Sequence, residues 1–331
     1  MKPKVFIAKP IPKEVEEYIS HYCEYKIWDQ QEPIPKDILL NEVAEVDGLL
    51  TPKGVITKDF LEKAPKLKIV SNIAVGYDAF DLTAMKERGV IGTHTPYVLD
   101  EAVADLAFGL ILDSSRRISE FNHFVKDGKW KQSLDRAEWF GQDVHHATVG
   151  IIGMGRIGEK IARRAALGFE MNVLYNSTRK KPELEEKYGM VYSEINPLLE
   201  RSDFVLVMLP LKDSTYHFIG EEQFRLMKSN AIFVNCSRGQ VVDEKALIKA
   251  LQEGQIRGAG LDVFEVEPVA IDNPLLKMDN VVTLPHIGSA TEKTRFDMAM
   301  KAAENLVAGV TGQVPENVVP ELQSLVKSPS A

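Results

Sequence analysis

The chain has little of what would place it outside the ordinary globular class. Only two cysteines, Cys23 and Cys236, occur in 331 residues. They form no CxxC, and no histidine stands at metal-ligand spacing from either, which argues against a disulfide scaffold and against a metal site. Two lone thiols suit a reducing compartment, so the cytoplasm is the expected location. No stretch approaches the ~18 apolar residues of a membrane span. The opening MKPKVFIAKPIP breaks at Lys9 and Pro10, too soon for a signal sequence, and reads as a first strand. No basic block is present, and acidic residues outnumber basic ones 48 to 40. A net charge of −8 argues against nucleic acid or a membrane surface as partner. There is no solenoid repeat, and no low-complexity tract apart from a polar tail, KSPSA.

What is present is a long alternation of short β-prone runs and helical patterns. The length is comfortable for two domains. KVFIA (4–8), EYKIWD (24–29), DGLLT (47–51), LKIVSNI (67–73) and GVIGTH (89–94) recur at βα spacing. That pattern predicts parallel sheets covered on both faces. A largely apolar helix is expected from Asp100. The stretch 120–146 is polar and aromatic, with Trp130 and Trp139, and reads as an arm or long loop facing a partner; a helix packed on its own domain is the open alternative. A second βα series starts at ATVGIIG and runs through MNVLYN (171–176), SDFVLVML (202–209), NAIFVN (230–235), GAGLDV (258–263) and NVVTLP (280–285). Gly254 is placed to end the helix EKALIKALQEG, and a last helix is expected over roughly 291–311.

Gly153-Met154-Gly155-Arg156-Ile157-Gly158 follows one of these strands and opens a helix. In that context GxGxxG is a dinucleotide signature. The first glycine makes the turn, the second admits a pyrophosphate, and the third lets helix and strand approach. The next strand ends in Asn176-Ser177-Thr178-Arg179-Lys180-Lys181. An NAD site usually carries Asp or Glu there for the ribose hydroxyl. Here there are cations instead, suited to a 2′-phosphate, so NADPH is expected, with NADH as the second candidate. A solvated basic turn beside a site that accepts NAD stays open.

Arg238 (NCSRG), Glu267 (DVFEVEP) and His286 (LPHIGS) each lie just past the end of an expected parallel strand, where α/β sheets bind ligands. Arginine offers a fork for a carboxylate. Histidine titrates near neutrality, and a neighbouring carboxylate would raise its pKa and fix its tautomer. Singly each has a plain reading, as a loop salt bridge, a solvated turn residue and a strand-end histidine. Jointly, downstream of a dinucleotide motif, they read as catalytic.

In that order, GMGRIG, NCSRG, GLDVFEVEP and LPHIGSAT resemble the D-isomer-specific 2-hydroxyacid dehydrogenase family, as do SNIAVGYDAFD (71–81) and TPYVLDEAVADLAFGLIL (95–112). The likeness covers nearly the whole chain. Within the family, WFGQDVHH and VLYN look most like the bacterial glyoxylate/hydroxypyruvate reductases, which also reduce 2-ketogluconate. The resemblance implies an α/β fold of two Rossmann-like domains with parallel sheets. One is a flavodoxin-like split substrate domain, residues 1–100 and 288–331; the other is an inserted NAD(P)-binding Rossmann domain, 101–287. It also implies roles. Arg238 would bind the substrate carboxylate and keto oxygen, and His286, held by Glu267, would donate the proton. The backbone of Val75 and Gly76 would bind the carboxylate, and Ser289 would line the site. Asp262 would contact the nicotinamide carboxamide, with Pro210 and Cys236 also in the cofactor set. Trp139 would reach a neighbouring subunit's site in a homodimer. The regulatory extension of many phosphoglycerate dehydrogenases is not expected, and Glu267 disfavours formate dehydrogenase, which resembles this family but carries Gln in that role. The rival expectations are an NAD-dependent D-lactate or D-3-phosphoglycerate dehydrogenase, and a dinucleotide-sensing, co-repressor-like binding protein.

Overall fold

The computed structural model describes residues 1–326 except 53, 132 and 134–136, so the KSPSA tail lies outside the described residues. The chain divides into two compact units, one of Met1–Leu99 with Thr291–Ala331, the other of Asp100–Ala290.

The first unit opens as a run of βα pairs: β1 (Lys4–Ile7), α1 (Lys13–Tyr22), β2 (Glu24–Ile27), α2 (Lys36–Val43), β3 (Gly48–Thr51), α3 (Lys58–Lys63), β4 (Ile69–Asn72), α4 (Leu82–Arg88) and β5 (Ile91–Thr93). Its sheet is wholly parallel, in the order β2-β1-β3-β4-β5. Central strands β3 and β4 are buried at every residue, whereas edge strand β2 alternates. Full burial in the middle and alternation at the rim are what a sheet covered on both faces demands. Side-chain caps start α3 at Thr57 and α4 at Asp81.

The second unit begins with α5 (Asp100–Arg116) and α6 (Ile118–Lys126). It continues through β6 (Thr148–Ile152), α7 (Arg156–Gly168), β7 (Asn172–Asn176), α8 (Pro182–Tyr188), β8 (Val191–Tyr192), α9 (Ile195–Arg201), β9 (Phe204–Val207), α10 (Glu221–Leu226), β10 (Ile232–Asn235), α11 (Glu244–Gln252), β11 (Gly258–Leu261) and β12 (Val281–Thr283). The seven strands are parallel, in the order β12-β11-β10-β9-β6-β7-β8. From β6 the chain winds first one way to β7 and β8, then the other way to β9, so the strand order reverses beside β6. Such a switch point opens a crevice at the carboxyl ends of the strands. Helix α5 buries Val103, Ala104, Ala107, Phe108, Leu110 and Ile111 and packs on α7 and on β10 and β11 of this sheet.

The chain then returns to the first unit as α12 (Glu292–Val310), capped by the Thr291 side chain and packed on β3, β4 and β5. Gly254 has φ 66°, as its place after α11 requires.

Part of the stretch expected to be an arm is helical. In α6, Ile118, Phe121, Phe124 and Val125 recur at helical spacing, yet no residue of the helix is fully buried. Trp139 packs on Phe121 and Phe124, with ring centroids 5.9 and 5.3 Å away. Among the described residues, no helix is long and apolar enough to cross a membrane.

Candidate active site

The glycine motif occupies the switch point. Its first amide, Gly153 N–H, donates to Asn176 O at the end of β7 over 2.9 Å. Gly153 has φ 106°, and a Cβ there would lie 2.5 Å from Met208 O. A Cβ on Gly158 would lie 2.4 Å from Gly153 O. Gly155 is different, because nothing comes within 4 Å of the Cβ it lacks. Helix α7 starts immediately after it with no side-chain cap. An open cradle at the head of a helix with a glycine N-cap fits a pyrophosphate. Arg156, the first residue of that helix, has Nε 3.1 Å from Asp100 Oδ2. Burial pushes the Asp100 carboxyl up, and Arg156 opposes that shift.

At the end of β7, Asn176 Nδ2 donates to Ser193 O over 2.9 Å. The Ser177 hydroxyl donates to Arg179 O, which closes the turn. Thr178, Arg179 and Lys180 are exposed, and Lys180 Nζ sits 5.0 Å from the Tyr192 ring centroid. The turn therefore carries cations and no carboxylate beside the cradle.

Across the sheet, β10 ends in an Asx turn. Buried Asn235 accepts from Ser237 N–H (3.0 Å) and Ser237 Oγ (2.8 Å), and its Nδ2 donates to Arg238 O (3.0 Å). Arg238 is half-buried, and its Nη1 donates to Ser237 O over 2.8 Å. The next residue must be glycine, since a Cβ on Gly239 would lie 1.8 Å from Phe264 O. That contact presses the loop after β10 onto the loop after β11, which carries Glu267. Phe264 N–H donates to Glu267 Oε1 (3.3 Å), and His286 Nδ1 lies 2.8 Å from Glu267 Oε2. A carboxylate only accepts, so Nδ1 carries the proton and Nε2 is left for chemistry. His286 is held at φ 54°, a region that disfavours residues with a Cβ and recurs at functional sites.

Asp262 anchors the same loop from below. Its Oδ1 accepts from Ile287 N–H over 2.7 Å and its Oδ2 from Gly288 N–H over 2.8 Å. It is 2% exposed, and burial pushes its carboxyl up although both N–H groups pull it down. The resemblance implies a contact of Asp262 with the nicotinamide carboxamide; the structure shows its carboxylate fastening the His286 loop, which sequence reasoning did not foresee. That reasoning also missed Asn235 and Gly239, for which an Asx-turn signature (N-x-S after a strand) and a glycine behind Arg238 were the available signals.

Cys236 is buried, and burial pushes its thiol up. Pro210 is exposed past β9, and Ser289 is half-buried past His286. In the first unit, the turn after β4 is pinned through three successive carbonyls. Ala74 O accepts from Thr95 N–H (3.0 Å), Val75 O from His94 Nδ1 (2.9 Å) and Gly76 O from Asn72 Nδ2 (2.7 Å). With its carbonyls so occupied, the turn holds the Val75 and Gly76 amides in fixed directions. Trp139 is half-buried against α6.

Residues 108–288 match the model of the D-isomer specific 2-hydroxyacid dehydrogenase NAD binding domain. The chain belongs to the D-isomer specific 2-hydroxyacid dehydrogenase family. It is 46% identical to glyoxylate/hydroxypyruvate reductase B of Yersinia pestis (strain Pestoides F), over 96% of this chain and 98% of that protein. The TT0316 protein of Thermus thermophilus superposes with a TM-score of 0.89 at 37% identity, covering 96% of this chain and 99% of that one. An NADPH-dependent glyoxylate/hydroxypyruvate reductase from Sinorhizobium meliloti, solved with NADP and malonate, has a TM-score of 0.85 at 30% identity, with 100% of both chains covered. The two all-parallel sheets are the Rossmann-like architecture of this family, and the chain is a nicotinamide-dinucleotide-dependent oxidoreductase.

Proposed function

We propose that the chain is an NADPH-preferring reductase of small 2-keto acids, namely glyoxylate, hydroxypyruvate and 2-ketogluconate. The observation that carries this reading is the 2.8 Å pair of His286 and Glu267, with the Arg238 loop pressed onto the loop of Glu267 at the carboxyl end of a Rossmann sheet. The Yersinia and Sinorhizobium relatives are glyoxylate/hydroxypyruvate reductases, which supports the substrate class, and the latter's NADP supports the cofactor.

In this proposal the head of α7 and the Gly155 cradle hold the pyrophosphate. Asn176, Ser177, Thr178 and Arg179 receive the adenosine end, with Arg179 on the 2′-phosphate. Pro210, Cys236 and Asp262 line the nicotinamide half. When bound, the reduced cofactor supplies a hydride to C2 of the keto acid. Negative charge then grows on the keto oxygen. Arg238 opposes that charge and also binds the carboxylate, and such preorganised electrostatics is commonly the largest catalytic contribution. Ser289 lines the site. The His286 imidazolium donates from Nε2 to the nascent alkoxide while Glu267 keeps Nδ1–H aimed away from it. General acid help of this kind is worth ~10²–10⁴-fold. The working form is a homodimer in which Trp139 reaches the partner's site, and the cytoplasm is its location.

The test is oxidation of NADPH and of NADH, side by side, with glyoxylate, hydroxypyruvate, 2-ketogluconate, pyruvate and phosphohydroxypyruvate, for the wild type and His286→Ala. NADPH turnover with one of the first three, lost in the variant while cofactor still binds, is expected. Preference for NADH with pyruvate or phosphohydroxypyruvate would replace this reading with a D-lactate or D-3-phosphoglycerate dehydrogenase. Cofactor binding without any turnover would replace it with a dinucleotide sensor.

A further inference from the structure

His217 lies outside every motif considered so far. It follows β9 by ten residues and carries φ 48°, a left-handed backbone that disfavours a side chain. Its ring stacks on Tyr216, with centroids 4.0 Å apart and planes at 19°. Its Nε2 lies 3.0 Å from Glu265 Oε1. We propose that His217 is a positioning residue that, through Glu265, fixes the two loops presenting Arg238 and Glu267. The proposal rests on the catalytic reading above.

The geometry is a lattice with Glu265 at its centre. His217 N–H donates to Gln240 O over 2.9 Å, and Gln240 Nε2 donates to Glu265 O over 2.7 Å. Glu265 N–H donates to Glu244 Oε2 (3.0 Å), and Glu244 N–H donates back to Glu265 Oε2 (3.3 Å). Asn273 Nδ2 holds the remaining Glu244 oxygen at 2.8 Å. The Glu265 amide, carbonyl and both carboxylate oxygens are thus all engaged. Gln240 stands two residues after Arg238, and Glu265 two residues before Glu267. Removing the His217 ring frees one of the four ties on Glu265 and leaves the backbone between Phe264 and Glu267 less constrained.

The side chains of His217 and Glu265 are 32% and 27% exposed. A partly exposed side-chain tie of this kind contributes little to global stability. Placement of catalytic groups is far more sensitive, since a ~1 Å error costs about 10²-fold in rate. The variant's signature is therefore a loss of turnover without a matching loss of stability or cofactor affinity.

Two substitutions separate the ring from the backbone. His217→Asn accepts the left-handed conformation but is too short to reach Glu265, whereas His217→Gln places an N–H₂ near the position of Nε2. Both are measured in the full chain with saturating NADPH and the best keto acid of the panel, beside His286→Ala. His217→Asn should lower kcat by roughly 10- to 100-fold, with KM and the NADPH Kd changed by less than about threefold. His217→Gln should recover most of the loss. In a Glu267→Gln background, His217→Asn should have a smaller further effect, because part of its action passes through Glu267. Wild-type kcat in His217→Asn would overturn the proposal, as would the same fold-loss in the Glu267→Gln background. If His286→Ala still reduces keto acids, the catalytic assignment itself has failed. An inactive His286→Ala beside a fully active His217→Asn rejects the positioning role alone.

Discussion

Gly155→Ala and Gly158→Ala, three residues apart in one motif, should fail in opposite ways. At Gly158 a Cβ would meet Gly153 O at 2.4 Å, about 1 Å inside ordinary contact, and the obstacle is backbone that cannot rotate away. Overpacking of this kind costs about 1–3 kcal/mol, which lowers the thermal midpoint by several degrees in a chain this long. At Gly155, φ is −85° and a Cβ would meet nothing within 4 Å, so folding should change by no more than about 0.5 kcal/mol. The new methyl would stand in the space assigned to the pyrophosphate. Loss of one charge-assisted bond there costs about 1.5–3 kcal/mol, or roughly 10- to 150-fold in affinity. Urea unfolding and titration of NADPH fluorescence measure the two quantities separately. Unchanged NADPH affinity in Gly155→Ala would refute the cradle. A destabilised Gly155→Ala beside an unaffected Gly158→Ala would refute the steric reasoning.

Asp262→Asn should set an amide N–H₂ against one of two backbone N–H groups, costing about 1–3 kcal/mol and lowering kcat as the His286 loop loosens; wild-type urea midpoint and kcat would show that the carboxylate is not its fastener. Arg179→Ala should cut kcat/KM with NADPH by about tenfold while sparing NADH, and an equal loss with both would remove Arg179 from the phosphate site. Burial, with Glu185 accepting its hydroxyl, pushes Tyr175 up to about 12. As pH climbs past ~10 the unfolded chain sheds this proton and the folded chain keeps it, so stability should fall between pH ~10 and about 12. Urea midpoints measured across that range should fall less steeply in Tyr175→Phe, and an identical slope would assign the loss to other groups.

Much of this molecule was legible because its information is local. An apolar run ending in Gly153-x-Gly155-x-x-Gly158 fixes strand, turn and helix together. Arg238, Glu267 and His286 announce themselves jointly by following strands downstream of that motif, and the resemblance added a role for each. Strand β8 has only Val191 and Tyr192, too few residues for a period to show. In α6 the helical spacing of Ile118, Phe121 and Val125 was obscured by the polar, aromatic residues around it. The His217–Glu265 tie spans 48 residues, and nothing local to either residue points to the other. The same holds for the Asp262 carboxylate, whose grip on residues 287 and 288 depends on β11 lying beside β12.

The return of the chain to its first unit sets an order of assembly. Ser71 in β4 donates to Ala302 O in α12 over 2.7 Å, Thr93 bridges to Val318, and Leu322 shares a core with Phe80 and Met85. During synthesis, five strands leave the ribosome long before the helix that covers them, while the unit of residues 100–290 is contiguous and can close first. Until α12 emerges, the face of the earliest-made sheet that α12 shares with α1 is only partly covered, so this part of the nascent chain gains from protection against aggregation.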